Sequence, residues 1–121
     1  MLKGAPELSD ALDAARLRHA TSEQISEIAA KYGHQPGDVN AFARGKDIFV
    51  PPGRGVGLRT LAHEGTHVNQ FMTVRNFNQS YNAAFQRGLA RGLSPVDAYR
   101  FNTYEISARR VGENVIRAYS P

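Results

Sequence analysis

The chain contains no cysteine. Neither a disulfide framework nor a thiolate metal site can therefore form, and any transition metal must rest on His, Asp or Glu, while stability must come from packing. A long apolar run is missing too. The N-terminal stretch MLKGAPELSDALDAARLRHA is interrupted by acidic residues every few positions, so it reads neither as a signal peptide nor as a membrane span. The expectation is a soluble protein, cytoplasmic or exported by a signal-independent secretion system. Internal repeats and low-complexity tracts are absent. The glycines Gly53, Gly55 and Gly57 are not followed by Gly-Lys-Ser/Thr, so they read as a turn and not as a phosphate cradle. No basic run is interleaved with aromatics, and the formal charge of +4 comes mostly from arginines scattered through the C-terminal half, from Arg75 to Arg117. That distribution describes a solvated basic face and does not favour nucleic acid as a partner. A chain of 121 residues is expected to form one domain, 1–121, in which any active cleft is shallow or shared with a partner.

What is present is mostly helical periodicity. Leu8, Leu12 and Ala15 recur behind Pro6 and predict a helix over 7–19. Thr21 or Ser22 caps a second helix, with Ile25, Ile28, Ala29 and Tyr32 on one face and Gly33 at its end, so residues 1–33 read as N-terminal helices. After the turn HQPGD, residues 39–50 hold two short apolar runs around Arg44-Gly45-Lys46, a β-hairpin stopped by Pro51 and Pro52. A helix over 58–74 follows, then one from Gln79 to Arg91. Ser94-Pro95-Val96-Asp97 starts a C-terminal helical segment over 95–119, re-initiated at Asn102. The fold class is α+β, mainly helical.

Within the 58–74 helix lies LAHEGTHVNQF, an H-E-x-x-H pattern. Its histidines, His63 and His67, sit one helical turn apart and can close on one ion, while Glu64 between them can activate a water. With four histidines in the chain, chance would produce roughly 0.006 such matches. On a 3.6-residue wheel, Leu58, Leu61, Ala62, Gly65, Val68 and Met72 form an apolar stripe, and the histidines lie on nearly the opposite side.

A catalytic zinc takes three protein ligands and keeps one position open. The metzincin continuation, H-x-x-G-x-x-H, is absent, because VNQFMT follows His67. Upstream candidates are His19 and His34; downstream ones are Asp97, Glu105 and Glu113. Asp97 is explained as a capping-turn residue, and Glu113 points away from the inner stripe of its helix. Glu105 borders that stripe, where a carboxylate is costly unless something ionic meets it. It also has two ordinary explanations: a capping box with Asn102, or an ion pair with Arg109 one turn on. A helical glutamate downstream of the two histidines favours the ligand role.

The stretch AFARGKDIFVPPGRGVGLRTLAHEGTHVNQ, residues 41–70, resembles the core of a family of bacterial zincin-like metallopeptidase domains, gluzincin-like in type and frequent in polymorphic toxins and secreted effectors. That pattern is A-F-x-x-G-x-x-I, a Pro/Gly connection, and L-A-H-E-x-x-H-V-x-Q. The later NTYEISAR is similar to an N-x-Y/F-E-x-x-A element of several such domains. The resemblance implies a minimal zincin-like fold, Zn2+ held by His63, His67 and Glu105, and Glu64 as the catalytic base. The chain departs at Gly65, where the family usually has Leu, and a glycine there is expected to leave the spot unpacked.

The reaction so implied is hydrolysis of peptide bonds by a zinc-dependent metallopeptidase, a toxin or effector module. Its partners would be a peptide or protein substrate, met along the edge of the hairpin Ala41–Val50, and an immunity or carrier protein. Tyr104, Tyr99, His34 and Arg100 are of types that could stabilise the transition state. Two rival readings are a non-catalytic, zinc-stabilised binding domain and a nucleic-acid-associated basic protein.

Overall fold

Short apolar runs broken by Gly, Pro and polar residues divide the N-terminal half into brief elements. The computed structural model describes residues 1–121. Pro6 opens a 3-10 turn (Pro6–Leu8) that runs directly into α1 (Ser9–Ala14). The helix expected over 7–19 stops there, because Arg16–His19 form a strand, β1. The strand's side chains are all exposed, so it shows none of the alternating apolar pattern by which strands are read. It is fixed by pairing: β1 lies parallel to a later strand in the register Arg16 to Asp47, and the Arg16 and Arg18 Nε atoms lie 2.9 and 3.2 Å from Asp47 Oδ1.

α2 (Ser22–Tyr32) begins with a capping box in which the Thr21 hydroxyl accepts from the Gln24 amide and the Gln24 side chain accepts from the Thr21 amide. It ends at Gly33, in the left-handed region at φ 74°. A 3-10 turn (Pro36–Asp38) leads to the hairpin of β2 (Phe42–Arg44) and β3 (Asp47–Val50). The sheet order is β1-β3-β2, with β2 antiparallel to the central β3. Beyond Pro51, the Arg54 guanidinium donates to Asn40 Oδ1 at 3.1 Å and to the Gly37 carbonyl at 3.0 Å, tying the glycine-rich connection to the loop before β2.

The C-terminal half is helical: α3 (Leu58–Thr73), α4 (Phe77–Ala90), α5 (Pro95–Arg100) and α6 (Thr103–Tyr119). Ser94 caps α5, accepting from the Asp97 amide. The chain thus has a mainly helical α+β fold.

Helix α3 is the axis of the molecule. Ala11, Ile48, Val50 and Val68 pack the sheet and α1 against one side of it. Ala5, Leu8, Ala62 and Val115 join the N-terminal turn and α6 to the next. Leu8, Ile48, Val68 and Val115 are fully buried, each worth about 1.5–3 kcal/mol of apolar burial. A separate cluster of Tyr32, Phe85 and Ala98 holds α2, α4 and α5 together. None of the helices is long and apolar enough to cross a membrane.

The side of α3 opposite the apolar stripe is also covered. Glu64, Thr66, His67 and Gln70 are all buried, because α6 packs along that flank. Gly65 is not an unpacked spot: a Cβ there would come within 2.8 Å of Leu12 Cδ2, so the α1 side chain fills the space a larger residue would take.

Candidate metal centre and cleft

Small residues let α3 and α6 approach closely. Ala62 and Ala108 are fully buried, and a Cβ on Gly112 would sit 3.2 Å from the Arg59 carbonyl oxygen. At that separation the short reach of a glutamate spans the gap. Glu105 Oε1 lies 2.9 Å from His63 Nε2 and 3.0 Å from His67 Nε2. One turn of helix sets the two imidazoles on a common side, and their rings meet edge to face at 5.0 Å.

These three residues bring their ligand atoms within 4.8 Å of one another and could bind a metal. The donor set fits such an ion. Zinc–nitrogen and zinc–oxygen bonds of about 2.0–2.2 Å in tetrahedral geometry put neighbouring ligand atoms roughly 3.3 Å apart, so small side-chain adjustments would open the present contacts to that spacing. His19, His34, Asp97 and Glu113 do not join this group. His19 is exposed on β1, Asp97 lies in the capped first turn of α5, and Glu113 pairs with Arg59 at 3.1 Å.

The ordinary explanations for Glu105 do not apply. The Asn102 side chain caps α6 by accepting from the Tyr104 amide, and the Glu105 carboxylate turns inward instead of reaching back. Arg109 donates to the Arg100 carbonyl.

Two neighbours that the sequence reading did not single out orient the ligands. Gln70 Oε1 lies 2.8 Å from His67 Nδ1, and Gln70 Nε2 donates to the Tyr104 carbonyl at 3.2 Å. With its amide so committed, Gln70 Oε1 accepts a hydrogen bond from the Nδ1–H of His67, which leaves the Nε2 lone pair for an ion. A signal for it existed, since Gln70 is the last residue of L-A-H-E-x-x-H-V-x-Q. Tyr81, on α4, donates its hydroxyl to Glu105 Oε2 at 2.5 Å. No local spacing links Tyr81 to Glu105, so only the tertiary fold reveals it. Asn102 donates to the Tyr81 carbonyl at 3.2 Å and so ties α4 to the start of α6.

The electrostatics follow from burial and this network. Glu64, 6% exposed, has its pKa pushed up to about 7, chiefly by loss of solvent. His67 loses solvent as well, which opposes its charge, but the hydrogen bond and charge of Glu105 outweigh burial and raise it to about 9. Burial also acts to raise Glu105, yet hydrogen bonds from His63, His67 and Tyr81 hold its carboxyl well below the usual range. Burial raises the Tyr81 and Tyr99 hydroxyls, keeping both as protonated donors.

The cluster opens onto a cleft of about 650 Å³ lined by residues of this chain, within the range of small-ligand and peptide sites. His63, Glu64, His67 and Glu105 form its floor, and residues 39–45, including the free edge of β2, form one wall. Of the four residues considered for transition-state stabilisation, Tyr99 and His34 line this cleft, their rings edge to face at 5.3 Å. Tyr104 packs instead on Phe77 and Tyr81, and Arg100 is exposed at the end of α5, outside the cleft lining.

Comparison with known proteins gives one match. The family model of the eCIS core domain matches residues 7–74, more than half of the chain. The match spans α1 to the end of α3, with His63, Glu64, His67 and Gln70 inside it and Tyr81 and Glu105 beyond it. No curated protein and no solved structure matches the chain.

Proposed function

The chain belongs to the eCIS core domain family, and from that premise we propose that it is a zinc-dependent metallopeptidase module of a bacterial extracellular contractile injection system, acting as, or attached to, an effector or toxin. The observation that supports this most directly is the meeting of His63 Nε2 and His67 Nε2 at one oxygen of Glu105, 2.9 and 3.0 Å away, on the floor of a cleft that Glu64 also faces. Zinc, when bound, supplies a Lewis acid for a substrate carbonyl and acidifies water. The residues of the chain do the rest. Glu64, which faces the same cleft beside the two histidines, takes the proton of the attacking water and returns it to the leaving amine. Tyr99 and His34, the two of the four candidates that line the cleft, are of types that donate to a developing oxyanion. The exposed edge of β2 offers backbone groups on which an extended peptide can pair.

The test is a Glu64→Gln variant, which should keep about one zinc per chain and the same fold yet lose cleavage of a generic protein substrate. Undiminished cleavage would overturn the mechanism. A second reading, a non-catalytic zinc-stabilised binding domain, draws on the fact that the three ligands bridge α3 and α6 in the interior. It gains if the zinc-loaded wild type cleaves nothing while chelation lowers its melting temperature.

A further inference from the structure

The cleft is ringed by cations from four elements. Lys31 comes from α2, Arg44 from β2, Arg59 from α3 and Arg109 from α6, and all four line it. The metal-centre carboxylates apart, the acidic group of the lining is Asp38. Lys31 and Arg109 have no carboxylate partner. Arg44 and Arg59 are paired with Glu27 and Glu113 at 3.9 and 3.1 Å, but all four of these side chains are about half exposed or more. Exposed pairs of this kind are worth little and exchange readily with a competing carboxylate.

Arg59 and Arg44 mark the two ends of the cleft. α3 and α6 run antiparallel, since Gln70 meets Tyr104 at one end and Arg59 meets Glu113 at the other. Arg59 is one turn before His63 and its guanidinium reaches on to Glu113, beyond the metal centre at one end, whereas Arg109, one turn after Glu105, reaches back to the Arg100 carbonyl at the end of α5, just before α6. Arg44 lies towards the opposite end, because the adjacent Gly45 sits on Phe71, one turn past His67.

We propose that the cleft is built for acidic peptides, with Asp or Glu side chains seated at Arg59 beyond one end of the metal centre and among Arg44, Lys31 and Arg109 in the rest of the cleft. This rests on the hydrolase reading for the peptide nature of the ligand, and it names the substrate class. Field lines from several like charges in one concave, partly apolar site concentrate there, so the preference exceeds what the modest net charge of the chain suggests.

The experiment uses the full-length, zinc-loaded Glu64→Gln protein and a fluorescent ten-residue peptide with Glu on both sides of a central apolar pair, beside versions with Gln or Lys at those positions. The Glu peptide should bind at least about tenfold more tightly than the Gln peptide at low salt, with the advantage shrinking as salt screens it. Combining Arg59→Glu with Arg109→Glu, or Lys31→Glu with Arg44→Glu, should each remove most of that advantage. Lys31, Arg44 and Arg59 are exposed and Arg109 is partly buried, and melting curves confirm that the variants fold. Equal binding of the Glu and Gln peptides, or an unchanged preference in both double variants, overturns the proposal. So does an oligonucleotide that displaces the Glu peptide at lower concentration than the unlabelled peptide itself. Failure of the hydrolase reading is separate, since it appears as absent cleavage by wild type while charge-selective peptide binding persists.

Discussion

Glu105 meets two histidines and a tyrosine with two oxygens, and the division of labour between those oxygens decides what the centre can hold. Oε2 is occupied by the Tyr81 hydroxyl at 2.5 Å, which leaves Oε1 alone facing His63 and His67. A carboxylate so held offers one ligand atom in a fixed direction. Gln70 does the same for His67 by fixing which nitrogen carries the proton. Residues of this supporting kind are worth about 10–100-fold in metal affinity. Gln70→Ala and Tyr81→Phe should therefore each weaken zinc binding by at least about tenfold, measured by competition with a chelating dye, while Glu105→Ala, which removes a ligand outright, should weaken it further. Superimposable titrations for wild type and Glu105→Ala would show that the carboxylate is not a ligand. These residues differ in how far the sequence reveals them. His63, Glu64, His67 and Gln70 belong to one helical motif with local spacing. Glu105 can be narrowed down from a short list by its position beside an apolar stripe, but Tyr81 has no local signature at all.

Among the elements, α3 departs most from an ordinary amphipathic helix. The stripe of Ala62, Gly65 and Val68 is buried against α1, the sheet and α6, yet Glu64, His67 and Gln70 on the other flank are buried as well. Periodicity locates the helix but not the second covering, because the flank so covered carries His67 and Gln70, polar residues that a sequence pattern reads as solvent-exposed. The same blindness explains β1: Arg16-Leu17-Arg18-His19 continues a helical spacing, and only its register with β3 and the shared Asp47 carboxylate make it a strand. At Gly65 the two halves of the fold touch, with Leu12 of α1 occupying the space where a side chain would stand. Gly65→Leu should thus destabilise the protein by about 1–3 kcal/mol through overpacking, despite better helix propensity. Leu12 is only partly buried, so Leu12→Ala alone should cost about 1–3 kcal/mol, but in combination with Gly65→Leu the total should fall short of the sum by at least about 1 kcal/mol, because each change fills or empties the same space. Additive losses in denaturant melts would place the two side chains in separate environments.

At the scale of the whole molecule, the buried ionisable cluster links stability to pH, and does so differently in the metal-free and metal-bound states. In the metal-free protein Glu64 rises from its ordinary 4.5 to about 7 through burial. His67 rises from 6.5 to about 9 because the hydrogen bond with Glu105 outweighs burial. Both groups hold protons in the folded state that the unfolded chain has released, so stability declines as pH rises, through Glu64 between about 4.5 and 7 and through His67 between about 6.5 and 9. Glu105 has the other sign: its carboxyl is held below the ordinary value of 4.5, so its contribution is present above that pH and is lost as pH falls further. The chelator-treated protein is therefore expected to melt highest in mildly acidic solution, near pH 5, and progressively lower towards pH 9. Zinc cancels the His67 part of the decline, because a ligand must give up its proton to bind, and the affinity gained with rising pH offsets the stability that the metal-free protein loses. The gap between the melting temperatures of the zinc-loaded and chelator-treated protein should widen steadily from pH 6 to pH 9. A gap that stays constant across that range would mean that no histidine proton is displaced by the metal, and the centre would have to be sought away from His67.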